Sequence, residues 1–102
     1  MTGKERLERL YRRLKKNFPD KDIRFEDQSL SYGTETRIKY KVSYWRLLLS
    51  GEKRLVCDAI WGNGTFGYDL NLLEVWGIGC CEPEGYVTEL RAYNFFKKHI
   101  VG

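Results

Sequence analysis

The sequence predicts an α+β domain, an antiparallel sheet of about four strands flanked by an N-terminal and a C-terminal helix. Three observations carry this expectation. Apolar residues recur at helical spacing near each end of the chain, and strict alternation occupies the middle. Asn63-Gly64 stands where a tight hairpin would turn, because both of its central residues need a positive φ. The chain has 102 residues, 42% of them hydrophobic and 15% aromatic. That suits one domain, residues 1–102, that buries its own core without metals or bridges.

The first helix is expected from about Thr2 to Asn17. Thr2-Gly3-Lys4-Glu5 fits a capping box, in which Thr2 accepts from the backbone of Glu5 and Glu5 reaches back. Leu7, Leu10, Tyr11, Leu14 and Phe18 form one apolar stripe. Pro19 stops the helix, since the residue before proline is pushed out of the α region. Ile23-Arg24-Phe25 begins a short edge strand. From Arg37 to Tyr44, Ile38, Tyr40, Val42 and Tyr44 alternate with Arg37, Lys39, Lys41 and Ser43. The alternation fails over Trp45 to Leu49, so both faces are covered there or a bulge shifts the register. Ser50 to Lys53 turns the chain into a strand from Arg54 to Trp61, and Phe66 to Trp76 returns as the last long strand. Gly77 to Gly85 reads as a loop. A second helix is expected from Thr88 to His99, with Thr88 as N-cap and Tyr93, Phe96 and Ile100 on one face.

Several features look chemical. Gly62-Asn63-Gly64-Thr65-Phe66-Gly67 matches G-x-G-x-x-G, but no helix pattern follows it and too little chain remains for a doubly wound sheet. Glycines at a hairpin explain it. Cys57, Cys80 and Cys81 are odd in number, and with His99 they lack any C-x₂-C spacing, so no metal is expected. Glu82 and Glu84 flank Cys80-Cys81 and would raise a thiol pKa rather than lower it. With a single histidine in a last helical turn, no Ser-His-Asp or Cys-His set can be built. The reading is therefore of a protein that is not an enzyme and takes no cofactor. The start of the chain is charged and the longest apolar run is Leu47-Leu48-Leu49, so neither a signal peptide nor a membrane span is expected. Together with the cysteine pattern this points to the cytoplasm.

Charge remains. The formal net charge is +4. Arg9, Arg12, Arg13 and Lys16 fall opposite the apolar stripe of the first helix, and Arg37, Lys39 and Lys41 make a second basic row along one strand face. Such rows suit phosphate backbones or an acidic protein surface. A solvated surface that keeps the domain soluble accounts for the same residues. The strand row also implies that the sheet has one open side. An exposed Trp or Tyr beside these charges would mark a binding surface, with Trp45, Trp61 and Trp76 the ones to place.

Leu73-Glu74-Val75-Trp76-Gly77 followed by Gly85-Tyr86-Val87-Thr88-Glu89-Leu90 resembles the end of small proteins carried by bacteriophages and mobile elements. In size and in lacking a catalytic set the chain is also similar to anti-CRISPR proteins, inhibitors that dock on host nucleic-acid-handling complexes. Many of those are acidic DNA mimics, whereas this chain is basic. The resemblance thus implies contact with an acidic protein patch or with guide RNA, and it transfers no site residue. A host protein or protein–nucleic acid complex is the expected partner. Direct nucleic-acid binding through the basic rows is the alternative, and a thiol enzyme or redox sensor at Cys80-Cys81 the third reading.

Overall fold

Helix α1 (Gly3–Asn17) begins at the capping box that its sequence spells. Thr2 Oγ1 accepts from the Glu5 backbone at 3.2 Å, and Glu5 Oε1 accepts from the Thr2 backbone at 3.2 Å. Leu7, Leu10 and Leu14 recur on one face and are fully buried. Burial of such side chains stabilises the fold by about 1.5–3 kcal/mol each. In this computed structural model residues 2–27, 45–51, 54–62 and 64–102 are described, with backbone only for 26–27, 45–51 and 54. The expected strand from Arg37 to Tyr44 and its basic row therefore lie outside the described residues, as does Asn63.

Among the described residues five strands follow α1 in one antiparallel meander, β1 (Ile23–Asp27), β2 (Trp45–Gly51), β3 (Arg54–Trp61), β4 (Leu73–Gly77) and β5 (Glu84–Val87). Helix α2 (Glu89–Val101) closes the order. The α+β layout of the described residues is thus as the sequence reads. β1 is an edge of the described sheet, and the register of β2 on β3 shifts between Leu49 and Ser50, the kind of bulge that the broken alternation implies. Cys57 pairs with Gly77 and Ala59 with Val75, so these residues share the pleat that faces the helices. With Leu73 and Val87 they meet Leu7, Leu10 and Leu14 of α1 and Ala92, Tyr93 and Phe96 of α2 in a single core. No described helix is long and apolar enough to cross a membrane.

Three expectations change. First, the last long strand is not Phe66 to Trp76. The chain leaves β3, coils through a 3-10 turn at Tyr68–Leu70, and pairs again only from Leu73. Gly64 and Gly67 adopt φ of 96° and 104° and Asn71 one of 55°, values that no strand accommodates. Thr65 adds a local knot, its hydroxyl donating to Gly62 O at 2.7 Å and accepting from Gly62 N at 3.1 Å. Second, the loop from Gly77 to Gly85 ends in β5, a short edge strand entered from Pro83, with a register shift against β4. Bulged, proline-flanked edges carry little alternation to read. Third, the sheet face away from the helices is not open at β3. Asp58 and Ile60 occupy that pleat and are 7% and 8% exposed. Asp58 pairs with Trp76 of β4, which lies on the same pleat.

Candidate interaction surfaces

The helices lie side by side on one sheet face and run in the same general direction. Glu89, at the start of α2, faces Arg6 and Arg9, each at 3.6 Å. Further along, Asn17 Nδ2 donates to the Tyr93 hydroxyl at 3.1 Å and Phe18 stacks on the Tyr93 ring at 6.5 Å. The four α1 residues expected to form one basic row are all exposed but do different work. Arg13 caps the Tyr93 ring at 4.1 Å, a cation–π contact that ties α1 to α2. Arg9 is engaged by Glu89. Arg12 and Lys16 point outward, and no partner for either is shown among the described residues.

The second helix is basic as well. Arg91, Lys97 and Lys98 of α2 are exposed on the same layer. The two helices hold ten of the eighteen lysines and arginines and three of the fourteen acidic residues, a formal +7, while the rest of the chain sums to −3. Between α2 and β5 lies an open cleft of about 310 Å³ lined by Glu84, Arg91, Asn94, Phe95 and Lys98. Arg91 Nη2 donates to Glu84 Oε1 at 2.6 Å, so the two charges there neutralise each other.

The sequence reading did not single out Phe66 and Tyr86 as exposed, yet both rings are. Phe66 is 62% exposed and Tyr86 57%. Their segments are locked together by backbone. Tyr86 N donates to Phe66 O at 3.3 Å, and a side chain on Gly85 would collide with Phe66 Cβ. Glu74 Oε1 accepts from Phe66 N at 2.9 Å. Tyr86 itself has φ 57°, an outlier for an aromatic residue. Positive φ at an exposed ring cannot be read from composition, so only the structure finds this pair. Of the tryptophans, Trp61 is half-buried, stacked on Tyr68 at 5.0 Å beneath Gly3, and Trp76 is half-buried on the outer pleat.

Cys57 is buried and unbonded, while Cys80 is half-buried and Cys81 exposed, both with free thiols. Burial pushes the Cys57 thiol well above its ordinary pKa, and the neighbouring Asp58 and Cys80 add to the effect. His99 Nδ1 donates to Phe95 O at 2.9 Å, which turns Nε2 toward β4. That nitrogen lies over Gly77, beside Cys57. Among the described residues no group of three histidines, cysteines or acids could hold a metal ion. The architecture of the described residues defines the class that can be stated, a five-stranded antiparallel meander with two helices on one face. No family model, curated protein or solved structure matches the chain.

Proposed function

We propose that this chain is a small cytoplasmic binding protein that inhibits a host nucleic-acid-handling complex by docking on it, in the manner of phage and mobile-element proteins such as anti-CRISPR proteins. The observation that supports this reading is the charge segregation, with a formal +7 on the helical layer and −3 elsewhere. Such a layer is attracted to polyanionic surfaces and steers association. Arg12 and Lys16 carry the contact. Arg9 and Arg13 hold the helices together beneath it.

Reversing Arg12→Glu and Lys16→Glu together tests this. Both residues are exposed, so the fold should change by no more than about 0.5 kcal/mol per substitution. Binding to duplex DNA, to RNA and to a host ribonucleoprotein is measured across a salt series. Steep loss of affinity for naked nucleic acid, with a log–log slope of about −0.7 to −0.9 per phosphate neutralised, identifies a direct nucleic-acid binder. Binding only to the complex, with a shallow slope weakened by the reversal, supports the inhibitor. If the variant binds every probe as wild type does at every salt concentration, the helical layer is only solvated surface.

A further inference from the structure

The charge that the helices gather leaves its opposite behind. From Leu55 to Thr88 the sequence contains no lysine or arginine and five acidic residues, Asp58, Asp69, Glu74, Glu82 and Glu84. The exposed aromatics sit within this stretch. Phe66 and Tyr86 are joined through backbone, as described, and Glu74 reaches the Phe66 amide. The 3-10 turn carrying exposed Asp69 and Leu70 follows directly, and Gly67, at its start, packs against the Tyr86 amide with no room for a side chain. Two borders limit the region. The start of α1 reaches it where Gly3 N donates to Asn71 Oδ1 at 3.2 Å, and the Arg91–Glu84 pair closes the other side.

Exposed rings beside carboxylates form the environment that an arginine side chain recognises. A guanidinium stacks on an aromatic face while its N–H groups reach a neighbouring carboxylate, and its weak hydration keeps the desolvation cost low. Nucleic acid fits the same rings poorly, because the stretch that carries them has no lysine or arginine to pair with its phosphates. We infer that Phe66 and Tyr86, with Asp69 and Glu74, form a second docking surface that takes an arginine-bearing, partly apolar segment of a protein partner. It lies apart from Arg12 and Lys16 and does not depend on what the helical layer binds.

The test uses the whole chain and a synthetic peptide alternating arginine with leucine, followed by backbone-amide NMR. Controls are the same peptide with glutamate for arginine, and a short oligothymidylate. The arginine peptide should shift the amides of Phe66, Gly67, Tyr86 and Val87, and the glutamate peptide should not. Phe66→Ala and Tyr86→Asn should each weaken binding by about tenfold or more, as truncation of an aromatic anchor does. Asparagine tolerates the positive φ of this position, so the fold is kept. Asp69→Lys, an exposed change that spares both rings, should also weaken binding. Arg12→Glu/Lys16→Glu should leave it unchanged, which separates this surface from the helical layer. Shifts confined to the helices, undiminished binding by the three variants, or equal shifts with oligothymidylate would overturn the inference. Concentration-dependent dimers in sedimentation that vanish with Tyr86→Asn would overturn it too, assigning the surface to a second copy of the chain.

Discussion

A methyl group on Gly77 would sit 2.5 Å from His99 Nε2, 2.8 Å from His99 Cε1 and 3.1 Å from Cys57 Cβ. The first two contacts are with a ring fixed at its other end, by the bond from Nδ1 to Phe95 O and by packing on the Phe95 ring at 4.5 Å. Gly77→Ala therefore forces the imidazole off its seat, and overpacking of this kind costs about 1–3 kcal/mol. For a domain near one hundred residues, 1 kcal/mol lowers Tm by about 4–8 °C. His99→Ala empties the space, so the alanine at 77 should then cost less, with a residue of strain left against Cys57. A double-mutant cycle in urea should show a favourable coupling of at least about 1 kcal/mol. Coupling below about 0.5 kcal/mol, the limit for independent sites, would show that His99 does not rest on β4.

The capping box gives a pH prediction. The Thr2 backbone amide, then its hydroxyl, bond to the Glu5 carboxylate and hold its pKa below the ordinary 4.5. A carboxylate with a depressed folded pKa contributes stability that is complete above its unfolded pKa and fades as pH falls through the folded one. Wild type should therefore lose more stability than Glu5→Gln between about pH 5 and pH 3, and parallel melting curves would contradict this. The thiols predict an order of alkylation. Cys81 should react first, Cys80 next and Cys57 only on unfolding, as read by intact-mass spectrometry, and equal rates for Cys57 and Cys81 would refute its burial.

What the sequence made legible was whatever its own neighbours enforce. The two helices follow from stripes and caps within a few residues of one another, and Thr2 and Thr88 cap as read. The stretch from Phe66 to Leu72 looked like a strand because Phe66, Tyr68 and Leu70 alternate, yet Gly67 and Asn71 take left-handed conformations that alternation does not reveal. β5 was missed because four residues with a bulge carry too short a pattern. On the surface, the basic face of α1 was visible, but its division was not. Arg9 and Arg13 turn toward Glu89 and Tyr93, which lie some eighty residues away in the sequence and become neighbours only through packing. Phe66 and Tyr86 met the same obstacle, since exposure of an aromatic residue is decided by what packs elsewhere.

A meander in which each described strand pairs with its successor can zip up from local contacts, so the sheet itself should form quickly. Its cover is another matter. Cys57, Ala59, Leu73 and Val75 form a pleat roofed by helices from opposite ends of the strand order, and Phe96, wholly buried, belongs to the last of them. During synthesis, then, the strands emerge with α1 but not α2 available to shield that face. The greasy pleat stays partly uncovered until α2 clears the ribosome, so α2 docking is the step at which the nascent protein stops being a target for chaperones and proteases.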